Sequence, residues 1–205
     1  MTSGSGALQL ARRVRLISWL SLAWMSIEGI VGVAAGIATN SIALLGYGLD
    51  STIQGIGSLV IIWRFTGARI HSPHAEQRAQ KIVAVTFFLL APYIGIEAAR
   101  RLLTGEQAEG SWIGIVLALI GIVLMPVFGH AKRRLGNQLG SAATTGEGTQ
   151  NLLCAGLSLA ILLGLAANLF FGLTWADPLV ALILAAVAVH TGVNTWRGRG
   201  CTPAH

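Results

Sequence analysis

Apolar residues in this chain fall into long blocks rather than into a two-residue alternation. Six blocks stand out, at about 16–38, 41–63, 82–103, 112–131, 148–171 and 177–196, separated by short polar segments. About 20 residues rising 1.5 Å each cross a hydrocarbon core of about 30 Å. The pattern predicts an all-α integral membrane protein with six transmembrane helices. The fifth block is started at 148 because Thr144-Thr145-Gly146-Glu147-Gly148 is poor in helix-forming residues. This divides the chain into an N-terminal segment (1–15), a six-helix transmembrane domain (16–197) and a short tail (198–205), leaving little chain for a folded soluble domain.

Composition agrees. The chain is 54% hydrophobic and 11% charged, whereas soluble domains carry about 25% charged residues. The net charge of +6 raises the question of nucleic acid, which the charge distribution answers. With both termini in the cytoplasm, twelve of the fourteen basic residues lie on the inner side and only Arg100 and Arg101 lie outside, as the positive-inside rule requires. The excess charge therefore reports topology, and no nucleic-acid partner is expected; the lipid bilayer is the partner. The short loops and charge bias suit a bacterial inner membrane. Arg12, Arg13 and Arg15 resemble the basic region of a signal peptide, but the apolar run behind them is too long for one. Cys154 in helix 5 and Cys201 in the tail are too far apart in expected position for a disulfide. Trp63, Trp112, Trp175 and Trp196 sit at span ends, where aromatic belts form.

An internal echo appears at an offset of one hundred. SIALLGYGLDSTIQGIGSLVI (41–61) aligns without gaps on SAATTGEGTQNLLCAGLSLAI (141–161), matching Ser41, Ala43, Gly46, Gly48, Ser58, Leu59 and Ile61. Three helices per half is an odd number, so the halves would cross the membrane in opposite directions as a 3+3 inverted pseudo-repeat. Asp50 then falls on Gln150, and Gln54 on Cys154. Each pair is spaced i, i+4 and shares one helix face.

Asp50 and Glu28 lie deep within expected spans, where a charge costs about 2.5–3.5 kcal/mol on insertion scales. No Lys or Arg is expected inside helices 1, 2, 4, 5 or 6 away from their ends. An unpaired acid there is either protonated or holding a cation. Gln54, Gln150 and Asn151 offer carbonyl oxygens, suited to hard cations or to helix–helix hydrogen bonds. Cys154 offers a thiol, or simply a small apolar filler. Glu147, near the inner mouth of helix 5, either gathers cations or faces water. Glu97 is expected to pair with Arg100 and Arg101 at i+3 and i+4, and Asp177 to cap a helix begun by Pro178. His71, His74 and Glu76, in the loop after helix 2, form a candidate peripheral metal site or a solvated loop. The many glycines of helices 1 and 2 favour close packing. No metalloprotease spacing, Ser/His constellation or nucleotide loop is present, so an enzyme is not expected.

Six spans, an i, i+4 polar pair in helix 2 matched by one in helix 5, and a His-containing loop resemble the cation diffusion facilitators. Ser41-Ile42-Ala43-Leu44-Leu45-Gly46-Tyr47-Gly48-Leu49-Asp50-Ser51, Trp63-Arg64-Phe65, Gln150-Asn151-Leu152-Leu153-Cys154 and Trp175-Ala176-Asp177-Pro178 look like a compact branch lacking the cytoplasmic C-terminal domain. The resemblance implies efflux of a divalent metal, typically Zn2+, in exchange for protons by alternating access in a homodimer, with no tightly bound cofactor. It puts the metal at Asp50, Gln54, Gln150 and Cys154, with Glu28 and Glu147 as accessory acids. The family's usual ligands are an acid or His followed by Asp in helix 2, then His and Asp in helix 5; here only Asp50 is of that type. Two other readings follow from the departures: a transporter of sodium or an organic cation, and a non-transporting membrane subunit with a degenerate site.

Overall fold

The computed structural model describes residues 4–38, 42–105, 112–171 and 176–198. Six α-helices follow one another: α1 (Gly4–Ala38), α2 (Ile42–Arg64), α3 (Pro73–Thr104), α4 (Trp112–Leu139), α5 (Ala142–Phe171) and α6 (Ala176–Trp196), with a short 3-10 turn at Gly67–His71. Among the described residues, α1, α3, α4 and α6 are long and apolar enough to cross a membrane. The other two helices, α2 and α5, carry the densest polar positions, including Asp50, Gln54, Glu147 and Gln150. The bundle is polar within and apolar without. Glu28, Asp50, Gln54, Lys132, Glu147, Gln150 and Asn151 are buried, while Ile30, Ile37, Ile96, Leu103 and Val123 are exposed. A surface of this kind suits lipid, where apolar side chains face the solvent and polar ones face each other.

The helices pack as pairs, α1 along α2, α4 along α5 and α3 along α6. Glycines set the first two crossings, and they recur at the offset of one hundred. A Cβ on Gly48 would lie 2.9 Å from the Gly29 carbonyl oxygen; on Gly148 it would lie 2.8 Å from that of Gly129. Gly36 abuts the backbone of Leu45 just as Gly136 abuts that of Thr145. Between the halves, α2 and α5 run antiparallel. Ser58 bonds to Glu147 at one end, and Tyr47 lies beside Ser158 at the other, both next to Gly121. Residues 41, 175, 199 and 201, and the side chains of 43, 161 and 177, lie outside the described residues.

Several boundaries differ from the expected ones. α1 starts at Gly4 rather than 16, because Ala11 and Val14 are buried in a core shared with Phe65, Val83, Phe87, Leu135 and Ala143. α3 starts at Pro73 rather than 82, since Ser72 caps it by accepting from the Ala75 N–H and proline occupies the first turn. α4 runs to Leu139 rather than 131, and α5 starts at Ala142 rather than 148. The poor helix formers 144–148 are helical because all five are buried, and packing outweighs intrinsic propensity. Only Gly140, at φ +63°, and Ser141 separate the two helices.

The glycine crossings predict a strict size limit. Gly48→Val and Gly148→Val should each destabilise the detergent-solubilised protein by about 3 kcal/mol or more, since the obstacle is backbone. Gly55→Ala, where a Cβ would meet only Leu22 and Met25 at 3.5 and 3.9 Å, should leave thermal unfolding unchanged.

Candidate cation site

The antiparallel register of α2 and α5 brings Asp50 level with Cys154, and Gln54 level with Gln150. Asp50 Oδ2 accepts a 2.8 Å hydrogen bond from Gln54 Nε2. Its Oδ1 and the Gln54 Oε1 are buried and have no hydrogen-bond partner among the described residues. Two oxygens bearing negative or partial negative charge are thus left open, the arrangement a cation satisfies. Asp50 and Cys154 line one cavity of about 100 Å3, which extends past Tyr47 and Tyr93 to Glu97 and Arg101 on α3 and Pro178 on α6. Gln54 backs Asp50 from outside that cavity. Gln150 turns toward α3, its Oε1 accepting from Thr86 Oγ1 at 3.1 Å while its Nε2 is unpartnered. Asn151, fully buried, has neither side-chain atom hydrogen-bonded among the described residues.

Glu28 reaches the same region from α1. It accepts from the Tyr47 hydroxyl at 2.6 Å and from Ser51 at 3.0 Å. Neither Glu28 nor Asp50 is paired with a Lys or Arg among the described residues.

Glu147 has a different setting. The expectation that helix 4 holds no base away from its ends is overturned by Lys132, which lies seven residues before the end of α4 and is fully buried. Its ammonium pairs with Glu147 Oε1 and donates to Ser21 Oγ at 2.8 Å and Ser58 Oγ at 3.1 Å. Sequence reading missed it because Lys132 heads the run Lys132-Arg133-Arg134, which looks like a solvated loop. Spacing was the available signal. Met125, Gly129, Lys132 and Gly136 are buried at helical intervals, whereas Arg133 and Arg134 point outward.

At the same end of the bundle, Glu76 is engaged in structure. It accepts from Arg64 Nε at 2.8 Å, from Ser141 Oγ at 3.0 Å and from the Ala143 backbone N–H at 3.1 Å, so it caps α5. Arg64 also donates to the Arg69 carbonyl. His71 and His74 are exposed beside it. Among the described residues, no three His, Cys, Asp or Glu side chains gather as a metal cluster. Glu97 pairs with Arg100 and Arg101, at 3.1 and 2.9 Å, as its spacing predicts.

A multi-pass helical bundle with an uncompensated acid in an intramembrane cavity is the architecture of a membrane transporter. The chain matches the cation efflux transmembrane domain over residues 18–197, and it belongs to that family of transporters, which are not enzymes. It is 25% identical over 180 residues to transmembrane protein 163 of Xenopus laevis, covering 87% of this chain and 64% of that protein. It is 29% identical over 198 residues to a cadmium, cobalt and zinc/H(+)-K(+) antiporter of Bacillus subtilis, covering 89% of this chain and 60% of that one. An uncharacterized transporter of Synechocystis is 26% identical over 198 residues, at 92% and 63% coverage. The chain spans about three fifths of the length of these curated relatives.

The bonding of Glu76 separates a structural acid from its exposed neighbours. Glu76→Ala should cost about 3 kcal/mol, as expected when a buried arginine loses its partner. His71→Ala and His74→Ala should each stay within about 0.5 kcal/mol of wild type, as exposed substitutions do. Thermal unfolding in detergent checks both.

Proposed function

We propose that the chain exports a divalent cation, zinc in chemical type, in exchange for protons. The observation that carries this reading is the cavity holding Asp50 and Cys154, with Asp50 Oδ1 and Gln54 Oε1 unpartnered. Asp50 would be the principal ligand. Cys154 would be the second and Gln54 would supply an amide oxygen; Gln150, whose Oε1 is turned to Thr86, would join only on rotating its side chain, and Glu28 would be a neighbouring acid. A carboxylate with no basic partner takes either a metal ion or a proton, so the two compete for one position and exchange becomes possible. A sparse ligand set suits a carrier, which must release what it binds. The antiporter of Bacillus subtilis, named for cadmium, cobalt and zinc, supports the same cargo.

The working unit would be a homodimer in a bacterial inner membrane, each protomer crossing six times with both termini in the cytoplasm. The recurrence of the glycine contacts at one hundred residues and the antiparallel run of α2 against α5 support an inverted 3+3 repeat. Such a repeat can present its midplane site alternately to each side. Arg64, Arg69, Arg78 and Lys81 lie at one end of α2 and α3, and the positive-inside rule assigns that end to the cytoplasm.

A second reading, transport of a harder cation such as sodium, is favoured by one observation: no cluster of three strong metal ligands occurs among the described residues. Proteoliposomes loaded with a metal-sensitive dye and given a pH gradient distinguish the two. Wild type should carry zinc and cadmium, and Asp50→Ala should lose at least about tenfold in flux, the loss expected when a charge-assisted contact is removed. Equal flux from the two proteins would sink the assignment, and sodium flux without zinc flux would favour the second reading.

A further inference from the structure

The two ends of the bundle are built differently around Asp50. Toward Glu97 and Pro178 runs the cavity. Toward Arg64 buried polar side chains are set within the apolar core of Val14, Ile61, Phe65, Leu135 and Ala143. Ser58 lies eight residues beyond Asp50 on α2, about 12 Å along the helix. There Ser21 of α1, Ser58 of α2, Lys132 of α4 and Glu147 of α5 meet with no more than 1% exposure each. A second layer follows at Arg64, where Glu76 joins α3 to α2 and to the first turn of α5.

The bonds of the inner layer fall into two groups. Lys132 and Glu147 both belong to the α4–α5 hairpin, so their ion pair lies within one half of the molecule. Lys132 to Ser21, Lys132 to Ser58, and Ser58 to Glu147 all cross to the α1–α2 hairpin. Ser21 and Ser58 also touch each other at 3.2 Å. Separating the halves at this inner layer would therefore break hydroxyl bonds and no ion pair. The ion pair would travel intact with its own hairpin, and no buried charge would be stranded, an event that costs far more than a lost hydroxyl bond. Hydroxyls that accept from the ammonium and donate to the carboxylate are easily exchanged for water once it enters.

We propose that Ser21, Ser58, Lys132 and Glu147 form a releasable gate that closes the Arg64 end of the cation pathway. The gate rests on the alternating-access reading above but not on the identity of the cargo. In this conformation it is shut, and the Asp50 cavity is directed to the opposite end. The ion pair is the rigid member and the two serines are the release. The charged groups that border the gate region are Arg64 and Glu76 in the second layer, with Asp50 and Glu28 on the far side of Gln54.

The test uses Cys154 as a reporter in the full chain carrying Cys201→Ser, which leaves one thiol. A membrane-impermeant maleimide is applied to vesicles of either orientation. Ser21→Ala with Ser58→Ala removes all bonds between the halves in the inner layer and leaves the ion pair in place. It should raise labelling of Cys154 from the Arg64 side at least about tenfold, the shift that losing even one bond to a charged group from one of two states produces. Labelling unchanged from that side, in protein that elutes and melts like the parent, overturns the gate. Should that variant not be recovered folded, Ser58→Ala alone decides: it removes both the Lys132–Ser58 and the Ser58–Glu147 contacts across the halves, and labelling of Cys154 from the Arg64 side should still rise, whereas unchanged labelling in folded protein overturns the gate. The labelling result does not depend on zinc. A labelling rise in a protein whose zinc flux ignores Asp50→Ala would retain the gate and remove the cargo assignment.

Discussion

Hydrocarbon supplies no hydrogen bonds, so each polar side chain carried into this bundle has to be met by another helix. That constraint concentrates on the seam between α2 and α5. Ser58 meets Glu147 there, Tyr47 meets Glu28 from α1, and Thr86 of α3 meets Gln150. Lys132 reaches the seam from α4. Five of the six helices are drawn to one interface by polar contacts, and glycines at positions 29, 48, 129 and 148 let the backbones come close enough to make them.

The same constraint distinguishes the buried acids. Glu147 has an ammonium and Glu76 a guanidinium; both are parts of the scaffold and both brace the end of the bundle near Arg64. Among the described residues, Asp50 and Glu28 are met only by neutral donors, an amide in one case and two hydroxyls in the other. A neutral donor stabilises a carboxylate less than a cation does, which is why the proposed cation is assigned to these two positions rather than to Glu147 or Glu76. Residue type does not separate ligand from brace. The reach of a base does.

The resulting asymmetry along the seam links packing to transport. Close-packed charged layers lie on one side of Asp50 and a cavity on the other. Pairing of Lys132 with Glu147 Oε1 lies within the α4–α5 hairpin and does not depend on contact between the halves. In the proposed gate, the inner-layer bonds between the halves are made through hydroxyls, so their release would leave the ion pair whole.

While the cation efflux family came from the resemblance of the motifs around Asp50, Gln150 and Asp177, blocks of apolar residues and one-turn spacing were enough to determine an all-helical membrane protein, its six helices, and the pairing of Glu97 with Arg100 and Arg101. These features depend on local hydropathy and on neighbours one turn away, which a linear chain displays. The early starts of α1, α3 and α5 and the long α4 were decided by burial of Val14, Ala79, Lys132 and Thr144 against distant helices, which propensity cannot register. Only the tertiary structure decided that Lys132 turns inward while Arg133 and Arg134 do not, and that Glu147 and Glu76 are paired with bases while Asp50, among the described residues, is not. Whether a buried charge finds its opposite depends on which helix faces stand together, and that is a property of the packed bundle rather than of any stretch of chain.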